Sequence, residues 1–260
     1  MVLIGERINA GFKDVKKAVQ EKDGEVLKVW AKKQTAAGAH YLDVCIGTAS
    51  SKPEDLCWMV ETVQEAVDTP ISLDISKIAL LREAIKVCRK PPVINSTTAV
   101  ADKMGPIIEV AAKYGASIIG VVMDEEGSPY TADKRVENAG KIIEKAMEAG
   151  LGPDQIFLDP IVMPLNCMQE QAAEILKAIS QFKLFSDPPC HITCGLTNVS
   201  NGAKHMNLIN RVFLAMCVAN GLDSAICNVM DTELVDTFLT AELIMNKSIY
   251  ADSYVEAFRK

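Results

Sequence analysis

Cys194-Gly195-Leu196-Thr197-Asn198-Val199-Ser200-Asn201 closes a short apolar run with an amide and a cluster of small polar residues. The same ending recurs along the chain. Leu42-Asp43-Val44-Cys45, Leu73-Asp74-Ile75-Ser76, Val93-Ile94-Asn95-Ser96 and Leu158-Asp159-Pro160 are each a β-like run shut by Asp or Asn. Outward from these, the apolar runs predict strands at 3–9, 41–46, 71–75, 93–95, 117–123, 156–159, 192–198 and 225–229. Between them the 3.6-residue periodicity predicts helices over 15–36, 53–67, 80–88, 106–114, 133–149, 171–185, 208–220 and 233–245, with a short amphipathic tail at 250–258. Strand and helix thus alternate eight times at a spacing of about 30 residues. The strands are continuous apolar runs, as expected of a parallel sheet covered on both faces. Together these features point to an α/β protein, a (β/α)8 TIM barrel, as a single domain over residues 1–260. A doubly wound open sheet would usually bring a glycine-rich phosphate turn, and neither G-x-G-x-x-G nor G-x-x-x-x-G-K-[ST] occurs.

Composition narrows the function classes. Hydrophobic residues make up 49% of the chain, too many for disorder. The net charge of −7 and the lack of a basic cluster argue against nucleic acid. No apolar run approaches the roughly 20 residues that span a bilayer, and the N-terminus lacks the charged and apolar regions of a leader, so no membrane is expected and a cytoplasmic location is. The eight cysteines then read as reduced thiols, largely core residues. Cys190, His191 and Cys194 fall short of a structural zinc set, so no metal is expected.

A barrel of this kind carries its active site at the C-terminal strand ends. Asn9, Asp43, Asp74, Asn95, Asp124, Asp159, Asn198 and Asp231 stand there. Asp231 and Asp124 read as helix caps. Asp74, Asn95 and Asp159 lie short of the helix starts, where Ser76 and Thr97 or Thr98 are better cap candidates. Carboxylates and amides dominate, and Lys, Arg and His are scarce, which disfavours a phosphate ligand or a Schiff-base lysine. The ligand chemistry that fits is a neutral, donor-rich heterocycle. A carboxylate can accept two parallel N–H bonds from an amino-pyrimidinone edge, and Asp159 is the best candidate for that role.

Gly-Glu-Arg-Ile-Asn at 5–9, Leu-Asp at 42–43 and 73–74, Ile-Asn-Ser-Thr at 94–97, Leu-Asp-Pro at 158–160, Gly-Leu-Thr-Asn-Val-Ser at 195–200 and Leu-Ile-Asn-Arg-Val-Phe-Leu-Ala-Met at 208–216, in that order, resemble the methyltetrahydrofolate:corrinoid protein methyltransferases of the pterin-binding barrel superfamily. The resemblance covers essentially the whole chain. It implies a pterin held by Asp74, Asn95 and Asp159, with Asp43, Asn9, Glu6, Thr197 and Ser200 completing the substrate-binding set. It also implies Asn198 as the catalytic amide at N5 of tetrahydrofolate. The methyl would pass between N5 and the cobalt of a corrinoid (cobalamin) carried by a partner protein, since this chain has no Asp-x-His-x-x-Gly motif. A homodimer is implied in the same way.

Two positions depart from the family pattern. Cys45 stands where Asp-x-Asn-x-Gly usually has its Asn, and the loop to Met206 lacks an expected arginine. These departures tilt the expected direction toward methyl acceptance by tetrahydrofolate, as in the second methyltransferase of an O-demethylase. The alternatives are the reverse transfer, to a corrinoid iron-sulfur protein, and a non-catalytic folate-binding subunit. A barrel enzyme with Cys45 or Cys194 as nucleophile is a third reading. Dihydropteroate synthase is disfavoured, because its Ser-Arg-Lys type motif at strand seven is replaced by Gly195-Leu196-Thr197-Asn198.

Overall fold

A computed structural model describes residues 1–258. Eight parallel strands run in the order β7-β6-β5-β4-β3-β2-β1-β8. They are β1 (Val2–Asn9), β2 (Tyr41–Cys45), β3 (Ile71–Asp74), β4 (Val93–Thr98), β5 (Ser117–Val121), β6 (Ile156–Asp159), β7 (His191–Ile192) and β8 (Ser224–Cys227). The helices between them are α1 (Lys13–Glu21), α2 (Gly24–Ala36), α3 (Pro53–Ala66), α4 (Ile78–Ala84), α5 (Ala101–Tyr114), α6 (Ala132–Glu148), α7 (Leu165–Met168), α8 (Gln171–Phe182), α9 (Met206–Asn220) and α10 (Thr232–Ile244). A last turn, α11 (Val255–Ala257), follows a π-helical segment at Tyr250–Tyr254. The edges β7 and β8 nearly close the sheet into a barrel. Ile226 N–H donates to Cys194 O at 2.9 Å, Asp223 N–H to Ile192 O at 3.2 Å, and the Ser224 hydroxyl to Thr193 Oγ1 at 3.1 Å.

Two cores explain why the strands read as unbroken apolar runs. Side chains alternate across a strand, so Leu42, Val44, Leu73, Ile94, Ile118 and Leu158 pack outward under the helices. Ile4, Val93, Ile119 and Phe157 form the smaller cluster inside the barrel. Glu6, Asp43, Asp74, Asn95 and Asp159 share the inward parity of that second set but stand nearer the C-terminal end. Register pairs Asp43 with Ser72 and Asp74 with Asn95, while Asp159 lies opposite Val121 at the end of β6. A polar ring above an apolar plug follows from the pleat alone.

Three local expectations change. The helix predicted over 15–36 is two, because Lys22 turns left-handed (φ 58°) and the Asp23 carboxylate caps a new start by accepting from Glu25 N–H at 3.1 Å. The helix predicted from Pro106 begins at Ala101 and carries the proline inside. The seventh strand ends at Ile192, and Leu196–Ser200 winds into a 3-10 turn. Its small polar side chains bond locally, Ser200 Oγ to Thr197 O at 3.3 Å, which competes with strand pairing.

Candidate functional site

The polar ring has two sides. On the β2–β4 side, Asp43 is buried and its Oδ1 accepts from Ser72 Oγ at 2.6 Å and from Asn95 Nδ2 at 3.2 Å. Burial, with Asp74 nearby, pushes the Asp43 carboxyl up to about 7, although Ser72 and Asn95 pull it back. Burial likewise raises Asp74, against a smaller opposing effect of the Cys45 thiol. Cys45 itself is driven well above the ordinary thiol range by burial and by the Asp74 charge. It is therefore a neutral thiol, unsuited to nucleophilic work. Cys45, Asp74, Ser76 and Lys77 line a cavity of about 150 Å³ here.

On the β6–β7 side, burial lifts Asp159 to about 6, while N–H groups of Ile161 and Gly195 favour its charged form. The Ile161 N–H reaches Asp159 Oδ1 at 2.8 Å, and Ile161 holds a left-handed φ of 64° that a β-branched residue rarely adopts. Behind this turn the fully buried Arg135 of α6 donates from Nε to Pro160 O at 2.8 Å and from Nη2 to Gln171 Oε1 at 3.0 Å.

Asn198 is exposed, and its amide folds over Gly195: a Cβ placed on Gly195 would lie 2.9 Å from Asn198 Nδ2. The preceding Thr197 donates its hydroxyl to Glu6 Oε2 at 3.1 Å. Burial raises Glu6, and that bond partly offsets it. The peptide of Gly195 thus brings Asp159 and Asn198 together, and Thr197 joins them to β1.

Other expected residues fall differently. Asn9 is half-buried and spends its Oδ1 on Gly11 N–H at 2.7 Å, in a turn that ends β1. Ser200 is fully buried under its own turn, with its hydroxyl donating to Thr197 O at 3.3 Å. Asp231 caps α10 by accepting from Leu234 N–H at 3.1 Å. Asp124 caps no helix: it accepts from Asn138 Nδ2 at 3.0 Å and pairs with Lys134. Neither Ser76 nor Thr97 caps a helix: α4 and α5 begin behind Lys77 and Val100 without side-chain caps, though Thr98 Oγ1 accepts from Val100 N–H at 3.4 Å. Ser72, Arg135 and Gln171 were not anticipated. Ser72 leaves one trace, a polar residue at an inward position between Ile71 and Leu73.

A family profile described as pterin binding enzyme matches residues 6–228. The chain belongs to the pterin-binding enzyme family. Within that family it is 32% identical over 263 residues to a methylcorrinoid:tetrahydrofolate methyltransferase of Eubacterium limosum, covering 100% of this chain and 97% of that protein. It is 31% identical over 241 residues to the methionine synthase of Mycobacterium tuberculosis, covering 87% of this chain but 20% of that longer protein. Among solved structures the fold is shared with Yersinia pestis dihydropteroate synthase bound to a pterin–sulfa conjugate. That match has a TM-score of 0.66, 18% identity and 94% coverage of both chains. A dihydropteroate synthetase with product superposes similarly, at a TM-score of 0.67 and 18% identity, again over 94% of each chain. These two solved structures therefore share the barrel described above. No helix among the described residues is long and apolar enough to cross a membrane.

Proposed function

We propose that this pterin-binding enzyme transfers a methyl group from a methylcorrinoid, carried by a separate protein, to N5 of tetrahydrofolate. The observation that carries this reading is the end-to-end similarity to the Eubacterium limosum methyltransferase of that name. The site supports it. Asp159 takes the Ile161 N–H on Oδ1, and its carboxylate keeps lone pairs to accept from the amino-pyrimidinone edge of the pterin. Asn95 is oriented by its bond to Asp43, and Asp74 completes the grip on the same side. Asn198, exposed at the rim, is the amide that reaches N5 where the corrinoid must approach. An amide positioned there favours the transition state by meeting the charge that develops on nitrogen, without holding a proton itself. The corrinoid supplies a cobalt–methyl bond that breaks with its electron pair left on the metal.

Partner assembly follows the same line. Leu208, Val212 and Met216 recur on one face of α9 and stand 60%, 52% and 47% exposed beside an apolar groove against α7 and α8. Such a stripe favours a second copy of the chain. Sedimentation of the wild type as a dimer and of Leu208→Glu/Val212→Glu as a monomer would bear this out; a monomeric wild type would refute it.

The transfer is tested by mixing the enzyme rapidly with methylcob(III)alamin and tetrahydrofolate and following cob(I)alamin by its absorbance. Formation of cob(I)alamin with methyltetrahydrofolate is the expected result. Folate binding with no methyl exchange in either direction would instead indicate a binding subunit.

A further inference from the structure

Methyl transfer to tetrahydrofolate, the reading this inference rests on, releases a proton. N5 of tetrahydrofolate carries a hydrogen, and once the nitrogen lone pair has taken the methyl, N5 is cationic until that N–H bond gives up its proton. A base near Asn198 is needed. The inward strand positions at the mouth offer four carboxyls. Asp43 is buried and already accepts from Ser72 and Asn95. Asp74 pairs in register with Asn95 and lines the cavity beside Cys45, away from the Asn198 turn. Asp159 is held by two backbone N–H groups and is assigned to the pterin's amino edge. Glu6 remains, and it is tied directly to the turn that carries Asn198: its Oε2 accepts from Thr197 Oγ1 at 3.1 Å.

We propose that Glu6, acting through the Thr197 hydroxyl, takes up the proton that N5 loses on methylation. The cobalt–carbon bond breaks with its pair on cobalt, and the N5 lone pair forms the new N–C bond. The N5–H pair then returns to nitrogen as its proton passes to Thr197 Oγ, whose own proton moves to Glu6 Oε2. Glu6 later releases it to solvent. The resting geometry suits this, since the hydroxyl already donates to Glu6 and keeps lone pairs free to accept. The groups around Glu6 also suit a temporary proton holder. Asp43 on β2 and Cys227 on β8 both feel the Glu6 charge, and Cys227 also feels Asp231. Its neighbour Arg7 points to the outer side, where Nη2 bonds Asp14 Oδ2 at 2.7 Å. Burial raises the Glu6 carboxyl, which brings its affinity for a proton closer to the working pH.

The test is single-turnover transfer from methylcob(III)alamin to tetrahydrofolate across pH, beside fluorescence titration of tetrahydrofolate binding. In the wild type the rate should fall as pH drops and Glu6 becomes protonated. Glu6→Gln and Thr197→Val should each slow transfer by about 10²-fold and flatten that acidic limb. Folate affinity should stay within about threefold, and Glu6→Asp should recover part of the rate. A Glu6→Gln enzyme that keeps the wild-type rate and acidic limb overturns the proton path, as does one whose only defect is weak folate binding. If Glu6→Gln does not fold, Thr197→Val decides alone. A wild-type chain that moves no methyl removes the reaction and the proton path together, whereas the other failures leave the reaction standing.

Discussion

The two sides of the barrel mouth are built on opposite plans. Between β2 and β4 the polar residues sit on regular strands, in register, and bond one another: Ser72 and Asn95 both donate to Asp43. Between β6 and β7 the strands give out early, and the polar groups sit on turns, one with a left-handed Ile161 and one a 3-10 segment that leaves Asn198 exposed. A side held by mutual side-chain bonds is preorganised for recognition. A side made of turns can place a donor at the rim, where a second protein must reach. Under the proposed function, holding falls to the first side and chemistry to the second, with Asp159 the one holding group on the second side.

The sharpest way to break that division is Asn198→Ala. Removal of one positioned donor should lower the single-turnover rate by roughly 10–10³-fold, with folate affinity hardly changed; a loss of affinity instead would move Asn198 to the holding side. Asp159→Ala should do the opposite. It removes a charged acceptor, and folate affinity should fall by about 10–10²-fold, the scale of one charge-assisted bond at about 1.5–3 kcal/mol. Because Asp159 titrates at about 6 and the pterin edge needs its charged form, wild-type affinity should weaken as pH falls through that value. Calorimetric titration at pH 5 and pH 8 reads it directly, and equal affinities would contradict the role.

The same contrast explains what was legible in the sequence. Asp43, Asp74 and Asn95 each follow an apolar stretch, so apolar length locates them without any structure, although β2 and β4 run on past Asp43 and Asn95 to Cys45 and Thr98. Asp159 is found the same way. Arg135 and Gln171 were invisible, because they come from α6 and α8: Arg135 donates to a backbone carbonyl, Pro160 O, which no motif records, and Gln171 accepts from Arg135. The seventh strand was over-extended because Cys194 and Leu196 are apolar, whatever the backbone does. Only the local bonds of Gly195, Thr197 and Ser200 turn it into a 3-10 segment. Ser200 shows a related ambiguity: a polar side chain in a motif can serve its own turn, as the bond from Ser200 Oγ to Thr197 O does, as readily as a ligand.

Gly195→Ala tests whether the β6–β7 side depends on backbone placement. The new Cβ would meet Asn198 Nδ2 at 2.9 Å, the far end of a flexible side chain. The fold should therefore absorb it while the amide swings away. The expected result is a melting temperature within a few degrees of wild type and a transfer rate about tenfold lower. A rate equal to wild type would show that Asn198 reaches its working position by another rotamer.

The smallest effect belongs to the β2–β4 side and concerns stability. Asp43 is raised to about 7 by burial and by Asp74, so the folded state holds a proton that the unfolded chain has already lost above about pH 4. More protons bound in the native state mean that stability falls as pH rises between those two values. Asp43→Asn keeps an oxygen for Ser72 and Asn95 to bond and removes the charge. The ligand-free variant should therefore melt a few degrees above wild type at pH 8 and level with it near pH 3. The gain should come with weaker folate binding, because Asn95 would no longer be aligned by a charged partner. A variant destabilised at pH 8 would mean that the Asp43 charge is compensated in the folded protein, and the β2–β4 side would then be a stabilising ion network rather than a recognition surface held at some cost to the fold.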